Sequence, residues 1–185
     1  MPDKGKQILT IPNLLSVFRI LLIPLIVWLY CGKQDYLLAA WVLLLSGVTD
    51  IADGFIARHF HMVSDLGKVL DPIADKLTQT AALVCLLTRF RAVWWLLGVL
   101  VVKETVMTVM GLLVIRRTGS VYSASWHGKL ATCVLYAVIF THIVWYGVPQ
   151  AVSMVLVLAG AASILLSLAL YTMEDLKRIR EGRPQ

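Results

Sequence analysis

From residue 8 to about residue 173 the chain alternates apolar runs of membrane-spanning length with polar turns of only a few residues. A bilayer core about 30 Å thick is crossed by about 20 apolar residues in a helix. Inside that core the backbone must satisfy its own hydrogen bonds, so runs of this length leave helices as the solution. The composition agrees: 59% of the 185 residues are hydrophobic, 15% are charged, and the mean hydropathy is +0.80. Such a balance excludes an ordinary soluble domain.

The runs predict an all-α integral membrane protein of six transmembrane helices, forming one membrane domain over residues 1–185. A short interfacial helix at 8–19, with Asn13 as its N-cap, feeds a first span that ends near Tyr30 and contains Pro24. Further spans are expected at about 36–57, 66–87, 92–115, 128–146 and 150–173, followed by a basic cytosolic tail at 174–185. The run after Lys4 and Lys6 is long and lacks a small-x-small cleavage site, so it reads as a retained span. Lys and Arg place both termini in the cytosol. Lys4, Lys6, Arg58, Lys68, Arg116, Arg117, Lys177, Arg178, Arg180 and Arg183 fall on one side, against Lys33, Arg89 and Arg91 on the other. The net charge of +6 sits at segment ends, which suits anionic lipid headgroups and argues against a nucleic-acid partner. Cys31, Cys85 and Cys133 lack ligand spacing and read as small apolar residues.

Within this apolar chain the stretch from Asp50 to Asp75 stands apart. Asp50 and Asp53 are spaced i, i+3, and Asp71 and Asp75 are spaced i, i+4, so each pair shares one helical face. Gly54 and Ala57 continue the first stripe, and Gly67 begins the second. Two helices joined by a short turn would aim four acids at one point. Acids this deep are costly in lipid, about 3 kcal/mol each at mid-bilayer and less near the edge, which makes a cluster functional rather than merely solvated. Mutual repulsion calls for a cation among them, and hard divalent ions with oxygen ligands meet that need. The small residues leave the backbone open to a close-fitting ligand.

The run Asp50-x2-Asp53-Gly54-x2-Ala57-Arg58-x8-Gly67-x3-Asp71-x3-Asp75 resembles the full signature of the CDP-alcohol phosphatidyltransferases. The opening Ile11-Pro12-Asn13-Leu14-Leu15-Ser16-Val17-Phe18-Arg19 is similar to the phosphatidylglycerophosphate synthase branch. The resemblance implies an enzyme at the cytosolic leaflet of the cell membrane that displaces CMP from CDP-diacylglycerol with the hydroxyl of a small alcohol. It implies two Mg²⁺ or Mn²⁺ ions on Asp50, Asp53, Asp71 and Asp75, with Asp75 also the general base. It further implies a CDP-diacylglycerol groove formed by Asp50, Asp53, Gly54, Ala57, Arg58, Gly67 and Asp71, and a homodimer. Arg58 is placed to pair with a phosphate in the bidentate way open to a guanidinium.

For the acceptor the indicated residues are Arg19, Arg116, Arg117 and Lys129, with glycerol 3-phosphate as substrate. The segment Gly128-Lys129-Leu130-Ala131-Thr132 departs from the branch pattern Gly-Lys-x-Lys-Thr-x-x-Gln, with Ala131 for the second lysine and Leu135 for glutamine. That departure keeps a cardiolipin synthase of the CDP-diacylglycerol type as an alternative. Lys103-Glu104 reads either as a branch motif or as an internal ion pair. His59, His61 and His127 fall in expected loops, and His142 reads as core. A cation transporter is a remote alternative, because the chain shows one acidic cluster and no repeat.

Overall fold

In a computed structural model of the chain, residues 10–60, 66–118 and 126–181 are described, and their regular structure is entirely helical. The α-helices are α1 (Ile11–Val27), α2 (Tyr36–His59), α3 (Gly67–Leu87), α4 (Val93–Thr118), α5 (Trp126–Val144) and α6 (Gln150–Glu181), and a π-helical turn (Trp28–Lys33) prolongs α1. Among the described residues, five stretches are long and apolar enough to cross a membrane: Ile11–Lys33, Tyr36–Ala57, Val93–Arg116, Trp126–Val144 and Gln150–Lys177. The α3 helix falls outside this group because Lys68, Asp71, Asp75 and Lys76 occupy its first three turns. Many outward side chains are large and apolar, among them Trp41, Ile51, Phe55, Leu158 and Leu166, a surface suited to lipid.

Several boundaries differ from the sequence expectation. The α1 helix runs unbroken through Arg19, so among the described residues the expected interfacial helix is continuous with the first span. Its N-cap is Thr10, extended at φ −111° and ψ 153°, whose hydroxyl accepts from Asn13 N. Pro12 sits at the helix start, where its missing N–H costs nothing, so the helix begins ahead of Asn13. Gln34, in the left-handed region at φ 57°, closes the π-helical turn, and Asp35 then caps α2 by accepting from Leu38 N. The α6 helix continues through Glu181, making most of the expected tail helical. The α2 helix extends through His59, whose ring stacks on Phe55, so His59 is not in a loop; His61 lies outside the described residues.

The chain forms two compact units. The first comprises α1, the π-helical turn, α2, α3 and Ile143–Tyr146. In it α1 packs against both α2 and α3. Its apolar core includes Leu22, Ile26, Ala39, Leu43, Leu83 and Leu86, all buried. The second comprises α4, α5 to His142, and α6. There α4 packs on α6, and Gly160 allows close approach: a Cβ at that position would lie 3.2 Å from Leu96 and 3.5 Å from Val138. His142 fastens α5 to α6, with Nδ1 2.8 Å from the Val138 carbonyl and Nε2 2.9 Å from Ser153 Oγ. A carbonyl can only accept, so Nδ1 of the neutral ring donates and Nε2 accepts a hydrogen bond from the serine hydroxyl.

Candidate active site

The acids of the first unit lie on two helices that both pack against α1. Asp50 and Asp53 lie on α2, Asp71 and Asp75 on α3, and α1 supplies what stands between them. Ser16 and Arg19 are one turn apart on the buried face of α1. Arg19 pairs through Nη1 with Asp50 and through Nη2 with Asp53, the latter at 2.6 Å. Ser16 Oγ is hydrogen-bonded to Asp71 and lies 3.0 Å from the Pro12 carbonyl. The charges of Asp71 and Asp75 both act on Asp50, and that of Asp71 acts on Asp53, so the four acids share one electrostatic neighbourhood.

Burial grades the acids. Asp53 is almost wholly buried, whereas Asp50, Asp71 and Asp75 are half-exposed. Gln79, itself buried and one turn beyond Asp75, donates to Asp75 Oδ2 at 2.8 Å and fixes that carboxylate's orientation. Gly54 and Ala57 are half-buried on α2, and Gly67 is buried at the start of α3. Arg58 belongs to the last turn of α2.

Arg19, indicated from sequence for the acceptor, gives its guanidinium to Asp50 and Asp53, with 1% of the residue exposed. The physical reason is proximity of opposite charge in an apolar surround, where an unpaired cation is costly. Ser16 and Gln79 were not singled out from sequence. Ser16 shares a stripe with Arg19, and Gln79 shares one with Asp75, and those two spacings were the available signal.

The donor set fits a hard divalent cation in chemistry, since it is made of carboxylate oxygens. Among the described residues, however, no three His, Cys, Asp or Glu side chains are grouped so as to hold a metal ion. The positive charge between Asp50 and Asp53 is that of Arg19.

The remaining cations lie in the second unit. Arg116 is exposed near the end of α4, Arg117 follows it in the helix, and Lys129 is exposed in the first turn of α5. His127, expected in a loop, is in that same helical turn, and its buried ring stacks on Tyr171 of α6 at 4.6 Å. Its Nε2 is 3.4 Å from Glu174 Oε1. A Cβ on Gly128 would run into the Tyr171 ring, which explains the glycine beside Lys129. Lys103 Nζ pairs with Glu104 Oε1 at 2.9 Å, a contact within α4.

A buried guanidinium bound by two acids of a neighbouring helix, with Asp71 on the serine one turn before it, forms a polar cluster within an apolar helical protein. The chain belongs to the CDP-alcohol phosphatidyltransferase family, whose pattern matches residues 9–171. It is 34% identical over 170 residues to a Mycobacterium tuberculosis protein named "Probable phosphatidylglycerophosphate synthase", covering 86% of this chain and 80% of that one. A Bacillus subtilis CDP-diacylglycerol–glycerol-3-phosphate 3-phosphatidyltransferase is 32% identical over 136 residues, covering 66% of this chain and 70% of the relative. A CMP-forming cardiolipin synthase of Streptomyces coelicolor is 42% identical over 109 residues, 56% of this chain, and the match spans only about half of that relative's length, 51%.

Proposed function

We propose that the protein transfers a phosphatidyl group from CDP-diacylglycerol to glycerol 3-phosphate, releasing CMP and forming phosphatidylglycerophosphate. The observation that carries this reading is the pairing of Arg19 and Ser16 of α1 with Asp50, Asp53 and Asp71 in a chain of this family. The relatives named for glycerol 3-phosphate transfer support the acceptor.

In the reaction the acceptor hydroxyl oxygen forms a bond to the β-phosphorus while the bond to the CMP phosphate breaks. Asp75, held by Gln79, takes the hydroxyl proton. Asp50, Asp53, Asp71 and Asp75 would hold two Mg²⁺ or Mn²⁺ ions. Such ions supply neutralisation of the charge that grows on the leaving phosphate. Gly54, Ala57 and Gly67 leave room for the cytidine and its phosphates, and Arg58 grips a phosphate oxygen pair. Lys129, Arg116 and Arg117 hold the acceptor's phosphate.

The same reading makes α3 a span too, bringing the number to six, sets both termini and the acids on the cytosolic side, and has the protein act as a homodimer in the cell membrane. The Lys and Arg distribution supports that orientation. The deciding experiment is CMP release by the purified protein from CDP-diacylglycerol against a panel of alcohols. Glycerol 3-phosphate should be the best acceptor. A preference for phosphatidylglycerol would favour the cardiolipin synthase reading, which the Streptomyces relative and the absent second lysine at Ala131 support.

A further inference from the structure

Cys31 lies in the π-helical turn that prolongs α1, and Cys85 lies in the last turn of α3. Their positions follow from the apolar stripes of the two segments. Leu22, Ile26, Leu29 and Tyr30 form the buried face of the first, and Cys31, next along the chain, falls at the edge of that face and is exposed. Ala82, Leu83, Cys85 and Leu86 are all buried on the second. Because α1 packs against α3, an edge residue of one can reach a buried residue of the other. The Cys85 side chain is hydrogen-bonded to that of Cys31, and both are free thiols.

The backbone holds this contact from both sides. The Cys85 carbonyl accepts from the Thr88 hydroxyl at 2.7 Å and from the Thr88 N–H at 3.2 Å, which ends α3 just past the cysteine. Gln34, left-handed at φ 57°, ends the turn that carries Cys31. The polar run Gly32-Lys33-Gln34-Asp35 follows Cys31, so its exposed thiol sits at the watery end of the span. Cys31 and Thr88 both line a cavity of about 330 Å³, which gives a small reagent room beside the Cys31 sulfur. The third cysteine, Cys133, belongs to the second unit.

We propose that Cys31 and Cys85 form a reversible redox site, closed as a disulfide by an oxidant that itself carries a disulfide. The Cys31 thiolate attacks one sulfur of the oxidant, forming a mixed disulfide and releasing the other sulfur as a thiolate. Cys85 then gives up its proton and attacks the Cys31 sulfur, and the oxidant's second sulfur leaves as a thiolate. The two protein thiols lose two electrons and two protons, and the oxidant takes both and ends as two thiols. Burial shields Cys85 from outside reagents and leaves it to Cys31 alone. The closed bond ties the end of the α1 segment to the end of α3, and so holds the helix of Ser16 and Arg19 against the helix of Asp71. In the orientation proposed above this end faces away from the cytosol, where disulfides persist; the chemistry of the pair is independent of that orientation.

The test treats the full chain, folded and reduced, with oxidised glutathione, quenches it in acid, and alkylates the remaining thiols in denaturant for peptide mass spectrometry. Wild type should lose the Cys31 and Cys85 thiols together and yield a peptide pair joined through them. Its thermal midpoint should rise on the order of 10 °C and fall back with dithiothreitol. Cys85→Ser should stop at a glutathione adduct on Cys31, and Cys31→Ser should leave Cys85 a free thiol, which fixes the order of attack. Cys31 is exposed, so Cys31→Ser carries that part of the test if Cys85→Ser does not fold. Both thiols still free in wild type, a glutathione adduct on Cys31 beside a free Cys85, or Cys31 joined to Cys133 or to a second copy of the chain would each overturn the proposal.

Discussion

Arg19 Nη2 lies 2.6 Å from Asp53 Oδ2, and both side chains are almost entirely buried. Breaking one member of a buried pair leaves the other charge uncompensated, at a cost of about 3–5 kcal/mol. Arg19→Gln should therefore lower the thermal midpoint on the order of 10 °C for a chain of this size. If the acids hold divalent ions, Mn²⁺ should restore much of that loss in the variant while shifting wild type less. A midpoint in Arg19→Gln that ignores Mn²⁺ would show that the acids do not take a metal in the arginine's absence.

The reaction itself should depend on divalent ions. Excess chelator should abolish CMP release, and Asp50→Asn or Asp71→Asn should do the same with Mg²⁺ restored. Full activity in chelator would rule out a metal-dependent transfer.

Asp75 and Gln79 should separate by magnitude. Asp75→Asn keeps the shape but cannot accept a proton, so turnover should fall by ~10²-fold or more with CDP-diacylglycerol binding retained. Gln79→Leu removes only the hydrogen bond that orients Asp75, and a fall of ~10-fold in kcat with KM little changed is expected. Near-normal turnover in Asp75→Asn would reduce Asp75 to a structural group.

The acceptor cations should act on KM. Lys129→Ala, Arg116→Ala and Arg117→Ala are each expected to raise the KM for glycerol 3-phosphate by at least ~10-fold, about 1.4 kcal/mol for one charged contact. The KM for CDP-diacylglycerol should stay near wild type. Unchanged acceptor kinetics in all three would remove these residues from the site.

Gly128 should be intolerant for a steric reason. A Cβ there would stand 2.8 Å from Tyr171 Cε2, and the Tyr171 side chain is buried. Gly128→Ala should cost about 1–3 kcal/mol, and the double variant with Tyr171→Leu should recover part of it in a thermal melt.

What the sequence disclosed and what it withheld follow one physical line. Spacing along a helix is local, so the stripes Asp50–Asp53 and Asp71–Asp75, and the helices that carry them, were legible from periodicity alone. The partner of Arg19 was not, because it lies more than thirty residues away and depends on how α1 packs against α2. Apolar runs located the spans well, yet they missed the π-helical turn at Trp28–Lys33, which leaves no trace in hydropathy. They also ended α6 too early, since a helix continues past the lipid wherever its residues still favour helix, as Glu174, Asp175 and Leu176 do through Glu181. The third helix was read as a span like the others, although Lys68, Asp71, Asp75 and Lys76 in its first three turns keep it out of the stretches apolar enough to cross a membrane.

The Arg19 bridge also bears on how the chain enters a membrane. A lone arginine at the centre of a bilayer costs about 2.5–3.5 kcal/mol on insertion scales, and a lone aspartate about as much. Folded together, the guanidinium and the Asp53 carboxylate neutralise one another out of contact with lipid. The expense is therefore confined to the interval in which α1 has entered and α2 has not. A helical hairpin delivered to the bilayer as one piece shortens that interval to nothing, and with only Gln34 and Asp35 between the Ile11–Lys33 stretch and α2 the two are close enough to arrive together.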